Sequence, residues 1–441
     1  MGEYYSYSTI VTWMKRIADS IPDIAKVVDI GPSSEGRSII GLQFGRDTPD
    51  KKIVVIDAGI HAREWVAVHT GMYFINLIVN GREEDPNIRN YLHNLVIYIF
   101  PVLNPDGYEY TRTDRTNPRS FIPEQGVETT IFNIHHHKKL LLIIHSPAST
   151  QCLQARMWRK SRSAKACAFD GLTSMHFPLE IGASRYPCSE IYHGATAFSE
   201  PESRAFSNFL LSLRGRLEGY ITLHAYSQLW IYSYSHRKFT YAPDIDDTRR
   251  VARKAVAELE KMYGTKYRHG TGPEIIYAFS GGSTDWAKQT LKVKYSYTIE
   301  LRPTYEGIIE WNGFVLDKNQ LIPTAKETWA GVTVVLDEIV NQAKASQTNR
   351  KKQRSLKVNN YFKKILKQVM IDPDPKTSAL HFVNFLNFME KFKPLQLSTI
   401  ESGHHVSFRV LDVQKGLYNV ACLIVKHIHL RPLVAQLAAG H

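Results

Sequence analysis

The sequence predicts an α/β fold, with a parallel or mixed sheet covered by helices on both faces, followed by a C-terminal segment of unknown fold. Two observations lead to this prediction. Short apolar runs typical of buried strands alternate with segments in which apolar residues recur at helical spacing. The chain has 441 residues and is 43% hydrophobic, enough for one large globular domain and a further segment.

The first part of the pattern is a strand, a helix and a second strand. The short apolar run at 53–60 ends near glycine and is typical of a buried strand. Residues 65–80 carry apolar side chains at helical spacing, and 95–103 is a second apolar run. An Asn-Pro-Asp-Gly turn at 104–107 ends that strand.

The alternation continues in the second part. The predicted elements are a helix from about residue 200, a strand at 220–224, a charged helix at 246–262, a strand at 293–301 and a helix at 323–343. In such folds the functional site lies beyond the carboxyl ends of the strands. Residues that bear chemistry are therefore expected at those ends.

The charge of the chain is concentrated at one end. The whole sequence has 55 Lys+Arg and 42 Asp+Glu, a net charge of +13. Residues 345–441 hold 15 basic and 5 acidic residues, a net of +10, which leaves +3 for residues 1–344. Nucleic acid is therefore not an expected partner of the body, whereas the tail favours an anionic surface or nucleic acid. No apolar run approaches the ~18 residues of a membrane span.

Three side chains at predicted strand ends could form a metal site. His61 and Glu64 are three residues apart, just after the strand at 53–60, and His224 ends the run at 220–224. Two histidines and one glutamate are a common ligand set for catalytic zinc, with a fourth position left for water. Taken by itself, a His-x-x-Glu pattern usually binds no metal. A single histidine such as His224 is more often a hydrogen-bonded residue of the core.

Glu300 closes the predicted strand at 293–301. A carboxylate at the end of a buried strand is costly without a partner. Two interpretations are open from the residues alone: a general base beside the metal, or one half of a structural salt bridge.

Seven motifs resemble those of zinc carboxypeptidases of the pancreatic A/B type and occur in the same order, and the resemblance covers roughly residues 5–344. They are Ser34-Glu35-Gly36-Arg37, Gly59-Ile60-His61-Ala62-Arg63-Glu64-Trp65, Asn104-Pro105-Asp106-Gly107-Tyr108, Trp158-Arg159-Lys160-Ser161-Arg162, Leu223-His224-Ala225-Tyr226-Ser227-Gln228, Tyr277 with Ser280-Gly281-Gly282-Ser283-Thr284-Asp285-Trp286, and Tyr297-Thr298-Ile299-Glu300-Leu301-Arg302. The resemblance implies a catalytic domain at 1–344 with a mixed, largely parallel twisted sheet. The basic extension at 345–441 stays unassigned.

This resemblance implies that His61, Glu64 and His224 bind one zinc ion (Zn2+). Glu300 would be the general base, taking a proton from the attacking water and later delivering it to the leaving amine. Zinc lowers the pKa of water and polarises the scissile carbonyl. The substrates would be the C-termini of peptides or proteins.

The resemblance also implies roles for four residues around the ligands. Arg159 would stabilise the oxyanion, and Tyr277 would close over the bound C-terminus on a mobile loop. Arg63 and Tyr226 would help to bind the peptide. The alternatives are an ordinary surface arginine for Arg159 and a surface salt bridge for Arg63.

Thr284 matches the position at the floor of the family's specificity pocket. In the family, an aspartate there selects basic terminal residues and a large aliphatic residue selects apolar ones. Because Thr284 is small and neutral, a preference for neutral terminal residues, apolar or small polar, is expected over Lys and Arg.

One departure from the family pattern concerns substrate binding. The family has an Asn-Arg pair after the cysteine that matches Cys167, and its arginine binds the terminal carboxylate of the substrate bidentately. Here no arginine occurs between Arg162 and Arg185. Loss of such a buried charged hydrogen bond costs on the order of 2–5 kcal/mol. A catalytically impaired homologue that binds zinc and peptide is therefore the alternative function.

A second departure is an insertion at about 114–155, which we interpret as a surface loop near the site. Its three consecutive histidines, His135 to His137, could bind metal, but a solvated loop is favoured.

The cysteines bear on the cellular setting. Four cysteines allow three pairings. The resemblance pairs Cys167 with Cys188 and so favours an oxidising, extracellular setting, with Cys152 and Cys422 expected to be free. Secretion is expected from the family, although the N-terminal residues do not read as a signal peptide. A monomer is expected.

Overall fold

A mixed sheet is the centre of the fold. The computed structural model describes residues 1–112, 157–163, 181–185, 189–306 and 312–371. Within these residues eight strands form one sheet. In chain order they are β1 (Ala25–Pro32), β2 (Ser38–Phe44), β3 (Lys52–Ala58), β4 (Leu95–Phe100), β5 (Leu217–Ala225), β6 (Leu229–Tyr232), β7 (Arg268–Gly270) and β8 (Tyr295–Leu301).

The central strands of the sheet are parallel. The spatial order is β1-β2-β4-β3-β5-β8-β6-β7, and β4, β3, β5 and β8 pair in parallel with their neighbours in that group. The outer strands β1, β2 and β6 pair antiparallel to the strands on their inner side. The carboxyl ends of four parallel strands therefore meet at one edge, where the fold class predicts the functional site.

Helices flank this sheet. The longer ones are α1 (Tyr7–Ser20), α2 (Trp65–Gly81), α3 (Pro86–Asn94), α4 (Pro105–Thr111), α5 (Pro201–Ser212), α6 (Ile245–Tyr263) and α7 (Leu321–Ile371). Short helical segments lie at Gly272–Ile275, Ser283–Trp286, Ala287–Leu291, Asn312–Phe314 and Lys318–Gln320. Local signals explain several boundaries: the Asn104 side chain accepts a hydrogen bond from the backbone of Gly107 at the start of α4, and Gly264 ends α6 in the left-handed conformation.

The sheet separates two hydrophobic cores. Along β3, Val54 and Ile56 belong to one core, whereas Ile53 and Val55 belong to the other. This alternation follows from the two-residue period of a strand. The first core includes apolar residues of α1, α2, α6 and α7, and the second includes those of α5 and the segments at 283–291. The prediction of a sheet covered on both faces is confirmed.

Several elements differ from the sequence prediction. The helix α1 and the strands β1 and β2 were not predicted: most residues of α1 and β1 are exposed or half-buried and carry a weak apolar pattern, and β2, although largely buried, is a short run that contains Gly41 and Gln43. The helix predicted to end at 343 continues as α7 to Ile371. Contacts divide the chain into Met1–Ala343 and Lys344–His441, a division that falls within α7. In the part of the chain that the structure describes, no helix is both long and apolar enough to cross a bilayer.

A buried ion pair fixes the chain where β8 leaves the sheet. Arg302, directly after β8, donates from Nε to Oε1 of Glu327 on α7 over 2.8 Å, and its Nη2 donates to Oε2 of the same carboxylate. The Glu327 side chain has no solvent exposure. Bidentate contacts of this kind are geometrically specific, so the pair connects the end of β8 to α7.

We expect Glu327→Gln to lower the free energy of unfolding by about 3–5 kcal/mol, because it leaves the Arg302 charge without its buried partner. The matched control is Glu258→Gln, which breaks an exposed pair with Lys261 and should cost less than about 1 kcal/mol. Chemical denaturation of both variants measures the difference. Equal losses would contradict a special role for the buried pair.

Candidate metal centre and active site

The loop after β3 carries the first two candidate ligands. Gly59 adopts a φ of +65°, a conformation that favours glycine, and an added Cβ there would lie 2.8 Å from Val68. Glu64 stands at the N-cap of α2, yet its side chain makes no capping hydrogen bond. Its carboxylate instead faces His61 and His224.

The three predicted ligands come together in the structure. Oε1 of Glu64 is 2.7 Å from Nδ1 of His61, and its Oε2 is 3.1 Å from Nδ1 of His224. The two Nδ1 atoms are 3.1 Å apart, and the ligand atoms of all three residues lie within 4.8 Å of one another. Two imidazole nitrogens and one carboxylate oxygen form a donor set suited to zinc.

The two carboxylates of the site have opposite electrostatic surroundings. Burial alone would raise the pKa of Glu64, but the neighbouring imidazoles of His61 and His224 hold it well below its ordinary value. Burial raises the pKa of Glu300 to about 8, and the negative charge of Glu64 adds to the rise, against the opposing effects of His224 and Arg159. Glu64 is therefore suited to holding a cation as an anion, whereas the raised pKa of Glu300 suits it to accepting and releasing a proton.

Glu300 lies beside the ligands because of the sheet register. It pairs with His224 across β5 and β8, so both side chains point from the same edge and the same face. Among the described residues no ion pair of Glu300 is found within 4.0 Å.

Arg159 lies next to His61. Its backbone carbonyl accepts a hydrogen bond from the backbone of Ala62 over 3.0 Å, and its Nη2 is 2.5 Å from Nε2 of His61. Asn104, from the predicted turn, holds the same segment by donating to the carbonyl of Lys160 over 3.0 Å. Only glycine fits at Gly107, because an added Cβ would lie 2.8 Å from that carbonyl oxygen. The start of α4, where the sequence predicted a turn, thus fixes the position of the arginine segment.

Arg63 is buried and already has protein partners. Its Nη1 lies 3.1 and 3.2 Å from the two carboxylate oxygens of Glu190 and donates to the carbonyl of Met157 over 3.2 Å. The guanidinium also lies over the ring of Phe314, 4.3 Å from its centroid. The salt bridge considered for Arg63 is therefore present, and its partner is a carboxylate that is 59% exposed.

The remaining three candidates are Tyr226, Thr284 and Tyr277. The Tyr226 ring packs edge-on against Phe314 at 5.0 Å between centroids. Thr284 is buried, with its hydroxyl 3.2 Å from that of Thr298 on β8. Tyr277 is 62% exposed, and the charges of Glu300 and Arg159 both act on its phenol group.

Sequence reasoning missed three residues that contact this set, one of which, Asp57, does so only through Thr222. Thr222 and Asp57 lie behind His224, and Glu190 pairs with Arg63. Two of them left a signal in the sequence: Asp57 is a charged residue inside an apolar strand, and Thr222 precedes His224 by two positions and so shares its face. Glu190 comes from a distant segment, and no local pattern indicates its partner.

Several predicted features lie outside the described residues. These are the region of the absent Asn-Arg pair, the insertion at about 114–155 with its three histidines, and the four cysteines Cys152, Cys167, Cys188 and Cys422.

Comparison with known proteins agrees with this geometry. Residues 10–331 match the family model described as zinc carboxypeptidase. The chain belongs to the zinc carboxypeptidase family. It is 37% identical over 339 residues to carboxypeptidase B of Astacus astacus, a match that covers 75% of this chain and 95% of the relative. With carboxypeptidase A2 of Mus musculus the identity is 32% over 343 residues, covering 77% of this chain and 70% of the relative.

Solved structures of zinc carboxypeptidases share the fold. Bovine thrombin-activatable fibrinolysis inhibitor, in complex with tick carboxypeptidase inhibitor, aligns with a TM-score of 0.62 at 29% identity. The alignment covers 77% of this zinc carboxypeptidase chain and 99% of that structure. The resemblance inferred from the seven motifs is therefore confirmed, and the family consists of zinc-dependent hydrolases that act on peptide C-termini.

The ligand cluster predicts that zinc stabilises the folded protein. Zinc at a hundredfold excess over its dissociation constant should raise the free energy of unfolding by about 2.7 kcal/mol, because it binds the folded state. In His224→Gln, which removes one ligand nitrogen, this increase should be lost. Thermal unfolding with and without zinc tests both proteins, and equal stabilisation of the two would contradict the assigned cluster.

Proposed function

We propose that the chain is a zinc-dependent metallocarboxypeptidase that hydrolyses the C-terminal peptide bond of peptides and proteins. The observation that carries the proposal is the convergence of His61, Glu64 and His224 at one sheet edge, with Glu300 next to His224. One zinc ion held by the first three residues would lower the pKa of water and polarise the scissile carbonyl.

Glu300 is the general base in this proposal. Its carboxylate accepts a proton from the attacking water and then passes that proton to the leaving amine. A general base works best with a pKa near the working pH, and burial moves the pKa of Glu300 from the acidic range to about 8. The positive charge of a bound metal would bring this pKa down toward neutrality.

Arg159 stabilises the negative charge that develops on the carbonyl oxygen. Its contact with Nε2 of His61 supports this role, because the guanidinium is held beside the ligand cluster before the substrate arrives. A fixed cation needs no reorganisation as charge develops. Arg63 and Tyr226 contribute to peptide binding through the surface they form with Phe314, and Tyr277 covers the bound terminus.

Glu300→Gln should lower kcat by about 10²–10⁴-fold with little change in zinc affinity, since it removes proton transfer and keeps the shape of the side chain. Release of C-terminal residues from peptides measures kcat, and chelator competition measures zinc affinity. Glu258→Gln, on the exposed face of α6, is the matched control and should keep full activity. Unchanged turnover in Glu300→Gln would overturn the role of the base.

We further propose a preference for neutral terminal residues, apolar or small polar, set by Thr284. Support comes from its burial, its contact with Thr298 and its neutral side chain, which itself offers no charge to pair with a terminal Lys or Arg.

Thr284→Asp should shift the preference toward peptides ending in Lys or Arg by about 10–100-fold in relative kcat/KM, the range that a charged hydrogen bond provides. Thr284→Ser keeps the hydroxyl and should retain the neutral preference. The measurement compares kcat/KM for peptides that end in Phe, Leu, Lys and Arg. Faster release of Arg than of Phe by the unmodified protein would contradict the assignment.

A catalytically impaired homologue that binds zinc and peptide is the second candidate. It is favoured by the absence of any arginine between Arg162 and Arg185, where the family has its carboxylate-binding pair. This candidate requires zinc binding without appreciable turnover in the unmodified protein. Turnover should then be restored by Asn and Arg at positions 172 and 173.

The setting of the protein is also a proposal. We propose an extracellular monomer, supported by the match of Cys167 and Cys188 to the family's disulfide pair. For the extension at 345–441 we propose binding to an anionic surface or nucleic acid. The support is its net charge of +10 and the absence of any Asp or Glu between positions 344 and 371.

A further inference from the structure

A row of polar side chains crosses the sheet just below the metal ligands. Asp57 on β3 pairs with Thr222 on β5, and Thr222 pairs with Thr298 on β8. His224 and Glu300 are two residues further along β5 and β8, so they project from the same face. Thr222 therefore lies directly between a buried carboxylate and a predicted zinc ligand.

The hydroxyl of Thr222 contacts both neighbours. It donates to Oδ1 of Asp57 over 2.9 Å, and its oxygen is 3.0 Å from Nε2 of His224. A hydroxyl has one proton and two acceptor lone pairs. Because that proton is directed at Asp57, Nε2 of His224 must donate to the Thr222 oxygen.

This direction fixes the tautomer of His224. With one proton held on Nε2 by Thr222, Nδ1 is the nitrogen that could give its lone pair to a metal ion, whereas without a metal it lies 3.1 Å from Oε2 of Glu64 and would donate a proton to that carboxylate. A hydrogen bond from the second ring nitrogen also sets the rotation of the imidazole and its basicity as a ligand.

Burial makes the arrangement dependent on Thr222. Asp57 and Thr222 are each 1% exposed, so water does not compete for these hydrogen bonds. The carboxylate thus orients the Thr222 hydroxyl, which in turn orients the histidine.

We propose that Thr222, oriented by Asp57, is a positioning residue that holds His224 in its zinc-binding tautomer and orientation. The inference rests on the proposed function, in which His224 is a zinc ligand. Thr222 acts through His224 and makes no contact with the substrate in this scheme.

The test compares zinc binding by full-length variants in chelator competition. Thr222→Val keeps the shape and removes the hydroxyl, and it should weaken zinc binding by about 10–100-fold, as loss of an outer partner of a metal ligand does. Thr222→Ser restores the hydroxyl and should stay within about threefold of the unmodified protein. The control is Thr70→Val, which removes a buried hydroxyl that has no described partner and should leave zinc affinity unchanged.

Two results would overturn the proposal. One is unchanged zinc affinity in Thr222→Val, and the other is an equal loss in Thr222→Ser, which would indicate packing instead of the hydroxyl. Failure of the unmodified protein to bind zinc at all would instead remove the proposed function, so the two failures are distinguishable.

A second measurement does not depend on any variant of Thr222. Nitrogen NMR of the zinc-loaded unmodified protein reports which ring nitrogen of each ligand histidine carries the proton, and the His224 signal is identified by its loss in His224→Gln. The proton should be on Nε2. A proton on Nδ1 would overturn the proposal even if Thr222→Val failed to fold.

Discussion

The site depends on the parallel pairing of β3, β5 and β8 in one register. This pairing brings the loop after β3 to the same edge as the ends of β5 and β8, although 160 residues separate Glu64 from His224. The alternation of side chains along a strand then selects one face for the ligands and the opposite face for the larger core. A shift of one residue in either pairing would turn His224 or Glu300 away from the site.

The two glutamates of the site, Glu64 and Glu300, differ in pKa because of their neighbours. Glu64 lies between two imidazoles, which stabilise its negative charge and lower its pKa. Burial and the like charge of Glu64 raise the pKa of Glu300. Both groups are glutamate side chains, so the difference in pKa comes from their surroundings. The same chemical group serves as a ligand in one place and as an acid or base in another because the surrounding field differs.

Sequence patterns predicted the central elements and the ligand set because these depend on local signals. A buried strand is a run of apolar residues, and a ligand at its end follows directly in the sequence. The strands β1 and β2 gave no comparable signal, since most of β1 is exposed or half-buried and the short apolar run of β2 contains Gly41 and Gln43. The Arg63 pair with Glu190 and the contact of Thr222 with Asp57 were not predicted, because they depend on tertiary neighbours more than 100 residues away in sequence.

The polar row across β3, β5 and β8 has a consequence for how this protein can change over evolutionary time. Thr298 contacts Thr284 at the proposed pocket floor, and its register partner Thr222 contacts His224. Substitutions that enlarge the pocket floor or change its charge therefore also affect the polar row that supports the metal ligands. We expect this shared layer to limit how far the specificity can change. Substitutions at the pocket floor should be accompanied by compensating substitutions at Thr222 or Asp57.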